Sequence, residues 1–125
     1  MRVRRVALRE LAYARSGDKG DVVNVGVMAK SPRIYERLRE LITPERVRAL
    51  YGSWVQGAVD VHAMPNIDSL VIVLHRGLGG GATTTLRYDQ TGKAVGTAIL
   101  RMEVDVEDEL VEEARRRTEE IEGPA

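Results

Sequence analysis

Apolar and polar positions along the chain divide it into short, distinct segments. Residues 3–14 mix β-branched and apolar residues with arginines, as in an edge or half-exposed strand. Residues 16–21, Ser-Gly-Asp-Lys-Gly-Asp, break that pattern with loop chemistry. Val22–Ala29 resumes as a strand, with Val23, Val25 and Val27 on one face and Asn24 and Gly26 on the other. Ser31 followed by Pro32 is a helix start, a capping hydroxyl ahead of proline at the first helical position. Ile34, Leu38 and Leu41 then share one face. Thr43 and Pro44 repeat the start signal, Val47, Leu50 and Tyr51 give a second stripe, and Gly52 is placed to end it.

Residues 54–63 alternate, with Val55, Val59 and Val61 inward and Gln56, Asp60 and His62 outward, until Pro65 breaks the run. Residues 67–78 match two patterns. Val71-Ile72-Val73 suits a strand, whereas Ile67, Leu70, Val71, Leu74 and Leu78 fit helical spacing between an Asn66 cap and a Gly79 stop. The helical series is the fuller match, so a helix is expected there. Residues 82–88 and 94–106 form the arms of a hairpin around Asp89–Gly92. In the second arm Leu100, Met102, Val104 and Val106 alternate with Arg101, Glu103 and Asp105. Residues 107–121 read as a charged helix with Glu112–Arg116 and Glu113–Arg117 pairs at i, i+4. Its apolar stripe, Leu110, Ala114 and Ile121, is thin, which suits a surface helix or one lying against a partner. The order of elements predicts a two-layer α/β (α+β) sandwich, with helices packed on one face of a mixed or antiparallel sheet.

Length and composition narrow the function classes. The chain of 125 residues has room for one domain, at 43% apolar and 30% charged. Lys and Arg balance Asp and Glu at 19 each, so no electrostatic case arises for nucleic acid or an acidic membrane. Aromatic residues make up 4%, little for a base-stacking surface; Tyr51 and Trp54 read as core or interface anchors. With no cysteine, disulfides, thiol nucleophiles and Cys-based metal sites are excluded. The basic N-terminus lacks the apolar run of a signal peptide, and no segment is long and apolar enough to span a membrane, so a cytoplasmic location is expected.

Three segments hold candidate chemistry. In residues 16–21, Gly17 and Gly20 permit backbone conformations closed to other residues, and successive N–H groups can cradle an anion. Lys19 adds positive charge. Asp18 and Asp21 can orient it, act as bases or meet a hard cation, and Ser16 and Asn24 complete the polar cluster. The same loop also reads as a tight turn with solvated side chains, and it lacks the strand–loop–helix context of a nucleotide-binding loop. In the second segment, His75 is a candidate acid or base ahead of Gly79, Gly80 and Gly81, whose backbone can approach a ligand or a neighbouring strand. Alternatively, His75 and Arg76 complement the C-terminal dipole of the expected helix. Third, Asp60 and His62 share a strand face, but no spacing typical of zinc ligands occurs, so no metal is assigned and no cofactor is named.

In combination these motifs resemble a known family. ARSGDKGDVVNVGV from Ala14 to Val27, MPNIDSL from Met64, VLHRGLGGG from Val73, and LRYDQTGK from Leu86 followed by Leu100-Arg-Met102 are similar, in order, to the signatures of the AtuA-like C-terminal domain, found in proteins linked to acyclic terpene utilisation. The resemblance runs from about residue 7 to 104. It implies a ferredoxin-like fold for residues 1–106, with 107–125 as a charged helical extension of the same domain. It also implies the stand-alone form of a domain that relatives carry behind a larger one. "Ferredoxin-like" names the fold and not a cluster-binding protein, since cysteine ligands are lacking.

The role implied is an accessory subunit partnering a large AtuA-type protein in acyclic terpenoid or branched acyl-thioester catabolism. Two alternatives stand beside it: a self-standing oligomeric hydratase or isomerase acting on an enoyl thioester, and a structural assembly module. The expected partners are a large AtuA-type subunit, further copies in a homo- or hetero-oligomer, and an anionic or acyl-thioester small molecule.

Overall fold

The computed structural model describes residues 2–19, 22–52, 55, 57–75 and 98–122, with the backbone alone considered at Asp18 and Lys19. The strands are β1 (Val3–Ala7), β2 (Ala12–Lys19), β3 (Val22–Ala29), β4 (Val59–Met64), β5 (Ser69–His75) and β6 (Glu103–Glu107). The helices are α1 (Pro32–Leu41), α2 (Pro44–Tyr51) and α3 (Asp108–Glu122). Among the described residues the strands form a four-stranded sheet of order β2-β3-β5-β4 and a two-stranded sheet of β1 and β6, antiparallel throughout. The result is the α+β, ferredoxin-like class of fold.

Where a helix is expected over 67–78, the described part is not helical at 69–75, and 76–78 lie outside the described residues. Ser69–His75 is a strand hydrogen-bonded on both sides, to β3 and to β4. Leu70, Ile72 and Leu74 alternate inward and are buried, while Val71 and Val73 are half-buried on the other face. A central strand with both faces partly covered reads as a continuous apolar run, and such a run satisfies helical spacing by coincidence. The β-branched triplet was the discriminating feature. Asn66 does not cap a helix but lies in a 3-10 turn, Pro65–Ile67, that joins β4 to β5. The turn closes through Asp68 at φ 49°, a left-handed conformation that Asp tolerates better than most residues.

The expected strand over 3–14 is interrupted by a 3-10 turn at Leu8–Glu10, which buries Leu8 and separates β1 from β2. The strand expected from residue 54 begins at Val59, with Val55 buried ahead of it. The first arm of the expected hairpin, 82–88, and its turn lie outside the described residues. The second arm keeps its alternation, with Met102, Val104 and Val106 buried, but follows a 3-10 turn at Ile99–Arg101, and its strand pairs with β1.

Both expected helix starts are observed. Ser31 Oγ accepts from the Ile34 amide and Thr43 Oγ1 from the Arg46 amide, each at 3.2 Å, with proline inside each first turn. Gly52 ends α2 at φ 57°, where a Cβ would be strained. α1 and α2 cover the face of the larger sheet that carries Val23, Val25, Val27, Leu70, Ile72 and Leu74, all buried.

The final helix is neither superficial nor held by i, i+4 pairs. Its ion pairs within the helix are Glu112–Arg115 and Arg117–Glu120, at i, i+3. Leu110, Val111 and Ala114 are buried, whereas Ile121 is 61% exposed and contributes nothing to the stripe. Glu113 faces α1 instead of Arg117. The Ser31 hydroxyl donates to Glu113 Oε2, and Arg33 lies 3.3 Å from the other oxygen. Beside them Lys30 Nζ donates to Thr118 Oγ1 at 2.8 Å and sits 4.9 Å from the centroid of the Tyr13 ring.

Ser31 thus caps α1 and ties it to α3. Ser31→Ala removes the cap and strips Glu113 of a partner, so urea unfolding should show a loss of about 1–2 kcal/mol. On the smaller sheet, Arg5 Nε donates to Asp105 Oδ1 at 3.1 Å, and this bond holds the carboxyl below its usual range. A carboxylate lowered in the folded state stabilises the fold above its unfolded pKa, and the contribution fades as pH falls through the folded value. Arg5→Gln should return the Asp105 titration, followed by NMR, toward the ordinary carboxylate range.

Candidate functional site

The antiparallel register fixes what the sheet brings together. Gly17 pairs with Asn24, Asn24 with Val73, and Val73 with Asp60, a row across all four strands. One row further, the Lys19 backbone pairs with Val22, and Val22 with His75. Directly paired residues share a sheet face. Asn24, Asp60 and His75 therefore lie on the face turned away from α1 and α2. Ser16 pairs with Val25 on the opposite, helix-covered side.

The expected loop at 16–21 is thus largely strand. β2 runs to Lys19, and the Lys19–Val22 pairing leaves only residues 20 and 21 between the two strands. Strand alternation splits the anticipated cluster, placing Ser16 on one face and Gly17 and Asn24 on the other. Asp18 and Lys19 are located by backbone on β2, while Gly20, Asp21, Gly79, Gly80 and Gly81 lie outside the described residues. Lys19 and His75, each paired to Val22, stand two strand spacings apart, about 10 Å. A Cβ built on Gly17 meets nothing within 4 Å, so no close packing within the chain demands glycine there.

His75 ends a strand, so the dipole-complementing role suggested by a helix C-terminus does not apply. Its side chain instead meets a carboxylate, with Nε2 3.0 Å from Asp60 Oδ2. An ionised Asp60 accepts from Nε2–H, and the neutral ring then carries its lone pair on Nδ1, the arrangement of a base oriented by an acid. The side chains are 44% and 51% exposed, so the pair faces solvent.

The backbone around His75 is fixed on the same side. The His75 amide donates to Ala58 O at 3.0 Å, and its carbonyl accepts from the Gly57 amide at 2.9 Å. Arg48 in turn donates to the Gly57 carbonyl. A Cβ on Gly57 would stand 2.5 Å from the His75 carbonyl oxygen, so this close approach requires glycine. In the sequence Asp60 stands beside His62 on one strand face, and with His75 these are the His-plus-carboxylate material of the chain, but nothing local pairs Asp60 with His75. Pairing it with His75 requires residues 69–75 to be a strand beside β4, a conclusion that Val71-Ile72-Val73 supported. Among the described residues no group of three or more His, Asp or Glu side chains is arranged to hold a metal, and no helix is long and apolar enough to cross a membrane.

A lopsided antiparallel sheet, helices on one side and an imidazole–carboxylate pair on the other, defines a small α+β domain of ferredoxin-like type. The chain matches the AtuA ferredoxin-like domain over residues 6–105 and belongs to that family. The match ends before α3 and agrees with the motifs from Ala14 to Met102. No curated protein and no solved structure matches the chain.

Gly57→Ala drives a methyl group into the His75 carbonyl. It should cost about 1–3 kcal/mol in urea melts and displace the His75 backbone resonances. A variant with unchanged stability and spectrum would show that the contact is not a constraint.

Proposed function

We propose that this domain is an accessory subunit that works with a large AtuA-type protein in the breakdown of acyclic terpenoid or branched acyl thioesters. The carrying observation is the Asp60–His75 pair, in hydrogen-bond contact yet about half exposed on the sheet face away from α1 and α2. Acid–base groups act best where water is excluded and charge development meets fixed dipoles. A second surface closing over the pair supplies that enclosure, and a large subunit is the partner the family association suggests.

The test is to tag the protein, express it at native level in its own host and identify what co-purifies by mass spectrometry. A stoichiometric large AtuA-type partner supports the subunit reading. Recovery of this chain by itself rejects it. In the reconstituted complex, Asp60→Asn and His75→Ala should lower turnover by about 10²–10⁴-fold with assembly intact.

The same pair favours a second reading, a self-standing enzyme acting on an enoyl thioester, in which His75 moves the proton. Hydration or isomerisation of crotonyl-CoA by the purified chain, lost in His75→Ala, would establish this reading over the first.

A further inference from the structure

The sheet face away from α1 and α2 has a pattern that extends beyond the Asp60–His75 pair. Its two central strands carry Val22, the exposed Asn24 and Gly26 on β3 and Val71 and Val73 on β5. Met28 and Met64, 50% and 43% exposed, stand on either side of Ser69 at one end. Gly26 and Val71 are direct partners in the register. A Cβ built on Gly26 meets only the Arg15 carbonyl, at 3.7 Å, so this glycine leaves a notch in the face and is not a packing necessity within the chain. Val71 is the adjacent bump. Charge is divided as well. Arg15 lies on the β2 edge with no ion pair among the described residues, and Asp60 lies on the β4 edge.

We propose that this face binds the same face of a second copy of the chain, about a two-fold axis running along the strands between β3 and β5. That axis exchanges the two central strands, so Val71 of each copy enters the Gly26 notch of the other. It also sets β2 of one copy against β4 of the other, and Arg15 meets the Asp60 and His62 edge. A two-fold axis across the strands through the same row would instead set the two Arg15 side chains together, Gly26 against Gly26 and Val71 against Val71, so that neither the charge nor the notch is matched.

The size suits a weak, micromolar dimer. Four strands about 4.8 Å apart and seven residues long at about 3.4 Å each give a footprint of roughly 450 Å² per copy, which over two copies is near the ~1,000 Å² where specific interfaces begin. The interface is isologous, as closed dimers require. Because the axis runs along the strands, both Asp60–His75 pairs emerge at the same end of the dimer. Gly17 and the Lys19 backbone of one copy then stand beside the pair of the other, which joins two motifs that a single sheet holds apart. A large partner would meet this end, but the dimer forms whether or not that partner exists.

Sedimentation equilibrium of the purified full chain should give about twice the 13.9 kDa chain mass at micromolar concentration. Gly26→Ala, whose Cβ meets only the Arg15 carbonyl at 3.7 Å, and Gly26→Leu, which extends further into the notch, should raise the dimer dissociation constant progressively, Leu by at least about tenfold, while leaving the circular dichroism spectrum of the monomer intact. Arg15→Asp should weaken the dimer similarly, and Arg15→Asp combined with Asp60→Arg should restore it. A monomeric wild type at about 100 μM overturns the proposal. So does a dimer that tolerates both Gly26→Leu and Arg15→Asp, since another surface would then hold it. These readouts involve neither co-purification nor turnover, so failure of the dimer and failure of the subunit reading are distinguishable.

Discussion

Strand β5 is the member on which the larger sheet depends, because it alone is hydrogen-bonded to both β3 and β4. A central strand must satisfy its backbone on two sides at once, and its inward residues Leu70, Ile72 and Leu74 must pack under the helices. Both demands fix its register. Through that register β5 sets Asn24, Asp60 and His75 on one face and the core valines of β3 on the other. The candidate site is in this sense a by-product of hydrophobic burial: with side-chain alternation of period two, a slip of one residue would turn every polar member of the site into the core.

The two sheets are tied by different means. Within the larger sheet the ladder and the apolar face suffice. The smaller sheet and α3 join the remainder through a buried layer that includes Leu8, Ile99, Met102, Val104 and Val111, and through the polar contacts of Lys30 and Ser31 with α3. Ser31 is 6% exposed and makes two hydrogen bonds, one as acceptor within α1 and one as donor to Glu113. A buried hydroxyl satisfied in both roles gives direction to an interface whose apolar part could slide.

Local signals in the sequence located what local physics determines. The Ser31-Pro32 and Thr43-Pro44 starts, the Gly52 stop, and the alternation of β3 and of residues 102–106 depend on near neighbours, and all are seen in the structure. Residues 69–75 fit both patterns because a central strand whose outward residues, Val71 and Val73, are also apolar lacks the polar half of an alternation. The pairing of residues 103–107 with β1 is not legible, since the partner lies about a hundred residues away and both arms of the expected hairpin have suitable composition. For the candidate site, His75 was visible as a residue type and Asp60 as its potential companion, but their contact follows from sheet order, which is nonlocal. The anion-cradling reading of residues 16–21 rests on their glycines. Glycine at 17 is equally compatible with an open strand position, and composition cannot distinguish the two.

Gly57 links this local chemistry to descent. Its α-carbon lies so near the His75 carbonyl that no side chain fits while the start of β4 and the end of β5 keep their present spacing. Within the lineage, position 57 therefore serves as an indicator for the histidine–carboxylate pair. A relative with a larger residue there must have moved the two strand ends apart, and Asp60 and His75 would part with them. Relatives that retain glycine at this position are those in which the pair is worth seeking, whatever has become of the residues around it.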